Sequence, residues 1–242
     1  MLKARVVEVF LSIQGEGLLL GTPMIFARFG GCNLRCLWCD EPDALALSSG
    51  KEAALDEVIG QIGEQGNADG PRWVSLTGGE PLMQAAFLEK LCPALKGKDF
   101  KILLETAGVL GPALKKVAPW VDLISMDIKL DSALDPSWKP NFNGHGQDIF
   151  DRHAKFLEIA PQKTYVKIVV TDQSQEWEIL DVLRLLKKFP GVPLIVFQPV
   201  TPTNGIKPPS QERLKDFMAL AWEQLPQVVR LMPQYHPVWK LA

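Results

Sequence analysis

The chain of 242 residues contains no apolar run near the roughly 20 residues that a membrane-spanning helix needs. Its opening, MLKARVVEVF, has neither the apolar stretch nor the small-residue cleavage site of a secretory signal, which sets the expected location as cytoplasmic. Charge of one sign is missing too. With 26 basic and 28 acidic side chains, composition gives no reason to expect a nucleic-acid surface. Internal repeats, low-complexity tracts and linkers are absent, so residues 1–242 are expected to form one domain. Only four cysteines occur, and in a chain of this length expected to be cytoplasmic a cluster of them reads as metal-binding rather than as the disulfide framework of a small secreted protein. What the chain does have is a hydrophobic content of 47%, enough to bury a sizeable core.

Short β-rich runs alternate with longer amphipathic ones. The spacing predicts strands near Arg5–Phe10, Met24–Phe29, Trp73–Leu76, Lys101–Leu104, Leu123–Ser125, Thr164–Val170, Pro193–Phe197 and Val228–Leu231. It predicts helices over Ala53–Glu64, Gln84–Cys92, Pro112–Val117, Asp148–Ile159, Gln175–Phe189 and Ser210–Leu225. Such alternation implies right-handed βαβ units and a mostly parallel α/β sheet, whose chemistry sits at the carboxyl ends of the strands. Thr77–Glu80, Glu105-Thr106, Asp127, Lys129 and Gln198-Pro199 fall at such ends. Asp131–Gly146 is rich in Pro, Asn and Gly without periodicity and reads as an irregular insertion, a candidate lid.

Three of the four cysteines, Cys32, Cys36 and Cys39, lie within eight residues, after the pair Gly30-Gly31. A structural zinc site needs four ligands, and none of the three histidines, His145, His153 and His236, is near in sequence. Cys92 sits in an apolar helical pattern and reads as a core residue. Three thiolates fit a four-iron, four-sulfur cluster (4Fe-4S) with one iron open, but spacing alone leaves zinc about as good a reading. A second motif, Thr77-Gly78-Gly79-Glu80-Pro81, follows a strand and precedes a helix. Its glycines admit a close backbone approach, and Glu80 can accept hydrogen bonds from an ammonium group.

With both motifs in this order, the chain resembles the radical S-adenosylmethionine (radical SAM) superfamily. The resemblance implies a 4Fe-4S cluster, S-adenosylmethionine, and an α/β fold that is a partial or modified parallel (β/α) barrel. Within the superfamily, Ser12–Gly17, Gly21–Pro23, Phe26–Cys32 and the tail Pro233–His236 are similar to the 7-carboxy-7-deazaguanine synthases. That family turns 6-carboxy-5,6,7,8-tetrahydropterin into 7-carboxy-7-deazaguanine for queuosine and related 7-deazapurines. The resemblance implies a substrate site of Ile13, Gln14, Gly15, Glu16, Arg28, Thr77, His236 and Ala242. Physically, a pterin edge matches backbone groups of Ile13, Gln14 and Gly15 and the Glu16 carboxylate, while the Arg28 fork suits a substrate carboxylate. For the adenosyl cofactor it implies Trp38, Cys39, Asp40, Gly79, Glu80, Ser125, Met126, Asp127, Lys129, Phe197, Gln198, Pro199 and Val200. A flavodoxin-type electron donor and a homodimer are implied in the same way.

The chain departs from the family pattern at three places. Glu41 stands where many members have a threonine that ligates Mg2+; its carboxylate remains a hard oxygen ligand. Ala107 replaces the asparagine of a frequent Glu-Thr-Asn-Gly run. Ser125–Lys129 is similar to glycyl-radical activating enzymes, which keeps that activity as the main rival, with a non-catalytic zinc or iron–sulfur module as a third reading.

Overall fold

A computed structural model describes residues 2–66, 70–137, 149–225 and 228–240. Ala242 and residues 138–146 of the expected insertion lie outside the described residues. Among the described residues nine strands form one sheet: β1 (Lys3–Ile13), β2 (Pro23–Phe29), β3 (Lys51–Ala54), β4 (Trp73–Gly78), β5 (Lys101–Thr106), β6 (Leu123–Ile128), β7 (Thr164–Val170), β8 (Leu194–Pro199) and β9 (Val228–Leu231). Their order is β3-β1-β2-β4-β5-β6-β7-β8-β9. From β2 to β9 every pairing is parallel, and β1 runs antiparallel to both β2 and β3. β3 and β9 are the edges, so the sheet is open, an incomplete barrel of the expected kind.

Alternation along the strands sorts the side chains. Val74, Leu76, Ile102, Leu104, Ile124, Met126, Val166, Ile168, Ile195 and Phe197 face outward, into one large core with the helices. The helices are α1 (Leu55–Gln65), α2 (Ala85–Lys96), α3 (Gly111–Val117), α4 (Ile149–Leu157), α5 (Glu176–Leu186), α6 (Gln211–Gln224) and the short α7 (His236–Trp239). No helix among the described residues is long and apolar enough to cross a membrane. On the inner face Met24, Phe26, Leu103, Tyr165, Leu194 and Val196 form a second cluster. Residues from β2 and β8 meet there, so the sheet curls around this inner core. Nearer the carboxyl ends the same inward rows turn polar: Arg28, Thr77, Glu105, Ser125, Asp127, Lys167 and Gln198.

The differences from the sequence reading have local causes. β3 falls on Lys51-Glu52-Ala53-Ala54, residues with little strand preference; only its pairing with β1 makes it a strand. Proline removes a helix hydrogen bond, so the sequence pattern stops at Cys92, yet α2 continues through Pro93 to Lys96. Leu95, beyond the proline, is fully buried and rewards the extra turn. β1 carries a bulge: Val6 pairs with Phe29, but Glu8, not Val7, pairs with Arg28. The extra residue reverses the parity of the strand and aims Glu8 and Phe10 inward. The described part of the insertion is a single-turn 3-10 segment (Asp131–Ala133) and a bridge from Leu134 to Cys36. It braces the cysteine loop.

Candidate active site

A cavity of about 450 Å³ opens above the inner core, at the carboxyl ends of β2 and β4–β8. Cys32, Cys36 and Cys39 line one side of it, on a loop held by backbone contacts. Gly31 N donates to Ala44 O at 2.8 Å, Cys32 N to Leu45 O at 3.1 Å and Leu37 N to Ala133 O at 2.9 Å. The Arg35 guanidinium donates from within this loop to the carbonyls of Cys32 and Leu34, at 3.0 and 2.7 Å. All four cysteines are free thiols. Burial pushes the Cys32 thiol up to about 12 and raises Cys36 and Cys39, with Lys129 pulling each back down. Among the described residues, the ligand atoms of these three cysteines do not close to within 4.8 Å of one another, whereas those of Glu16, Asp40 and His236 do. Thiols spaced too widely for one ion suit a polynuclear cluster, so the donor set fits 4Fe-4S better than zinc.

Two buried acceptors on the cavity wall lack a hydrogen-bond partner among the described residues: Asp127 Oδ1 and Gln198 Oε1. Unsatisfied buried oxygens are costly and call for donors from a ligand, such as hydroxyls or an amine. They fit a bound adenosyl group. Trp38, 8% exposed, and Gly79, Asp40, Ser125, Lys129 and Val200 share this wall. Asp127 Oδ2 pairs with Lys129 at 2.8 Å. Met126, Phe197 and Pro199 do not reach the cavity, because each alternates with an inward neighbour and turns its side chain outward.

Glu80 does not line the cavity either. Its carboxylate accepts from Leu82 N at 3.0 Å, from Thr106 Oγ1 at 2.9 Å on each oxygen, and from Ala107 N at 2.9 Å. Three donors, one of them the Thr106 hydroxyl shared between both oxygens, thus fill about three of the roughly four lone-pair sites of the carboxylate, leaving about one for an ammonium. Burial raises its pKa while these bonds lower it. Glu80 ties the loop after β4 to the end of β5.

Across the cavity lie Ile13, Gln14, Gly15, Glu16, Arg28, Thr77 and His236, all on its wall. Glu16 is buried, which favours its neutral form, but the Lys167 ammonium, Gln234 and His236 together hold its carboxyl down at about 2. Lys167 Nζ donates to Glu16 Oε2, and Gln234 Nε2 donates to Glu16 Oε1 at 2.6 Å and Asp40 Oδ2 at 3.3 Å. Gln14 Nε2 donates to Glu105 Oε1 at 3.1 Å, and Ser75 Oγ does so at 2.5 Å. Burial raises the Glu105 pKa, against the pull of Lys167. Tyr235 N donates to Gly15 O at 2.9 Å, which fastens the chain's last described segment onto the Gln14–Glu16 loop.

Arg28 is held from two sides. Nε donates to Glu8 Oε1 at 2.8 Å, Nη1 sits 2.6 Å from Glu41 Oε1, and the guanidinium lies 5.3 Å from the Phe10 ring centroid. Glu41, the expected Mg2+ ligand, is therefore already an ion-pair partner; burial raises its pKa and Arg28 lowers it. The residues that sequence reasoning missed are Lys167, Glu8 and Gln234, and it gave Glu105 no role. Lys167 had a signal: one ammonium in an otherwise apolar or aromatic strand core needs a buried partner. Glu8 had none, because its facing depends on the bulge.

Residues 27–186 match the family model described as the radical SAM superfamily. The chain is 36% identical to the 7-carboxy-7-deazaguanine synthase of Geobacter sulfurreducens, over 96% of each chain. It is 36% identical to the synthase of Methanopyrus kandleri, over 96% of this chain and 92% of that one. Among solved structures it resembles QueE from Escherichia coli, with TM-score 0.65 and 23% identity over 96% of this chain and 94% of the other. A radical SAM methyltransferase from Sphaerobacter thermophilus superposes with TM-score 0.63 and 14% identity, over 87% of this chain and 66% of the other.

Proposed function

The chain belongs to the radical SAM superfamily and, within it, to the 7-carboxy-7-deazaguanine synthases; from that membership we propose how its residues divide the cavity between cofactor and substrate. The protein is a radical SAM lyase that converts 6-carboxy-5,6,7,8-tetrahydropterin into 7-carboxy-7-deazaguanine, with ring contraction and loss of ammonia, on the route to queuosine. When bound, the cluster and S-adenosylmethionine supply the adenosyl radical that removes a hydrogen from the substrate. One observation carries the residue assignments: the three cysteines and the Gln14, Glu16, Arg28 and His236 set line the same cavity.

In this reading Cys32, Cys36 and Cys39 hold the cluster. Asp127 Oδ1 and Gln198 Oε1 accept hydrogen bonds from the adenosyl group, Trp38 packs beside it, and the Gly79 backbone runs close to it. Gly79 has no room for a side chain, since an added Cβ would stand 2.4 Å from Gly31 O and 2.7 Å from Ala44 O. Glu16 and Glu105 accept from the ring N–H groups of the pterin, and Arg28 offers its remaining Nη2 side to the carboxylate. These contacts would orient the pterin against the cysteine side of the cavity, and because Glu16 and Lys167 are buried the polar contacts there count for more.

Magnesium fits this chain less well than the cluster does. At Glu41 it has to displace Arg28; at Glu16, Asp40 and His236 it meets the Lys167 ammonium and the Gln234 amide. We therefore assign Glu41 to Arg28 and expect little magnesium dependence. Turnover measured against magnesium concentration tests this: Glu41→Thr should gain a response that the wild type lacks, and a strong wild-type response overturns the assignment. A flavodoxin-type donor and a homodimer complete the proposal, on the strength of the resemblance; sedimentation and reduction by flavodoxin check them. The decisive experiment supplies the anaerobic, reduced holoenzyme with carboxytetrahydropterin and reads 5′-deoxyadenosine and deazapurine together. Deoxyadenosine without deazapurine would overturn the substrate assignment.

A further inference from the structure

β7 carries one charge in an otherwise apolar or aromatic core. All seven of its residues are buried, and Lys167 lies between Tyr165 and Val169 in the inward row. Taking an ammonium out of water is costly, and only good pairing offsets that cost. Among the described residues its pairing is incomplete. An ammonium has three N–H donors; Glu16 takes one, and Asp127 Oδ2, at 4.0 Å, is too far for a hydrogen bond. Asp127 is already engaged with Lys129 at 2.8 Å. Lys167 thus brings unspent donors to the cavity wall, beside a Glu16 carboxylate that presents acceptors.

We propose that Lys167 is a specificity-determining residue for the pterin: with Glu16 it forms an adjacent donor and acceptor that read the C=O and N–H of the substrate's cyclic amide. The inference rests on the pterin reading of this site and deepens it. A carboxylate is the wrong partner here, because Glu16, Asp127 and Glu105 already surround the ammonium and all favour its charge. An incoming anion meets at least as much negative as positive charge. A neutral carbonyl needs only the donor. Nor does a carboxylate offer an N–H to the remaining lone pairs of Glu16, whereas a lactam presents both groups on neighbouring atoms. Arg28, on β2, remains for the substrate's own carboxylate.

The test uses the reconstituted anaerobic holoenzyme with carboxytetrahydropterin, with its analogue bearing an amino group in place of the ring carbonyl, and with S-adenosylmethionine. Wild type should bind the oxo form at least about 100-fold more tightly than the amino form, since a site built around a polar group rejects the analogue that lacks it. Lys167→Met should raise KM about 10- to 100-fold, the range of one lost charge-assisted hydrogen bond. It should also cut the oxo-over-amino preference to within about tenfold and leave S-adenosylmethionine affinity unchanged. Lys167→Gln keeps a donor without the charge and should retain most of the preference. Where Lys167→Met fails to fold or load iron, the glutamine variant decides alone: loss of the preference assigns Lys167 to charge balance and overturns the inference. So does Lys167→Met with the preference intact, or with S-adenosylmethionine affinity falling in step with that of the pterin. Wild type that turns over no pterin would instead sink the substrate reading itself.

Discussion

Around Arg28 the cavity spends two carboxylates and an aromatic face on one guanidinium, so that a flexible side chain enters the reaction already oriented. Arg28→Ala should raise KM for the pterin about 30-fold, the equivalent of about 2 kcal/mol for a charged hydrogen bond, and leave uncoupled cofactor cleavage largely intact. Parallel loss of both activities in the same assay would reassign Arg28 to the fold. His153 shows what burial does where, among the described residues, no ion pair offsets it. Its Nε2 lies 3.1 Å from Ala107 O, and burial outweighs that bond to hold its pKa down at about 4, against an ordinary 6.5. The unfolded ring takes up a proton near pH 6.5 and the folded ring only near 4. The stabilisation is therefore fully present above pH 6.5 and is lost as pH falls through 4, on the order of 3 kcal/mol in all. Urea unfolding at pH 7 and pH 4.5 should show this loss in wild type and a flatter profile in His153→Gln. Equal slopes in the two proteins would remove His153 from the acid limb. At this scale the polar residue types at strand ends are legible in the sequence, but the ion pair of Arg28 with Glu41 is not. Their 2.6 Å contact arises between a strand and a loop, and no sequence spacing encodes it.

Among the elements, the loops after β2 and β4 are bound together so closely that backbone replaces side chain. Gly79 N donates to Phe29 O at 3.0 Å and Glu80 N to Gly31 O at 2.8 Å. Gly79→Ala would press a methyl group against two carbonyls that cannot rotate away. Overpacking of this kind costs about 1–3 kcal/mol, with melting lowered about 2–4 °C for each kcal/mol in a chain of this size. Differential scanning calorimetry together with iron content per chain should show both falling; unchanged iron loading would mean that the cysteine loop tolerates the shift. The Gln14–Glu16 loop is joined to α7 in the same manner. An alanine at Gly15 would put its Cβ 2.7 Å from the His236 backbone nitrogen. Gly15→Ala is accordingly expected to raise pterin KM while cofactor cleavage persists, and a KM within twofold of wild type would contradict that coupling. The β1 bulge belongs to this scale as well. By alternation alone Val6 and Glu8 share a face, and the single unpaired Val7 sends one to the helix core and the other to Arg28.

For the whole molecule, the large core between sheet and helices is built almost without the cysteine loop, whose own small cluster is Leu34, Val109 and Ile149. Removing iron should leave the sheet folded, unlike a zinc finger, which unfolds without its metal. Far-ultraviolet circular dichroism of chelated protein is expected to match the holoprotein while S-adenosylmethionine binding disappears; global unfolding on chelation would contradict this architecture. The sequence by itself determined the alternation of strands and helices, the parallel sheet, the cysteine triad and the polar residues at strand ends. Each of these is local, set by hydrophobic period, turn glycines and spacing within a few residues. Only the tertiary structure decided which inward positions meet. Curling the sheet brought Lys167 of β7 to Glu16 of the β1–β2 connection, and folding the last segment back brought Gln234 to both Glu16 and Asp40. Buried charges are stable only beside their partners, and those partners stand up to 218 positions apart along the chain.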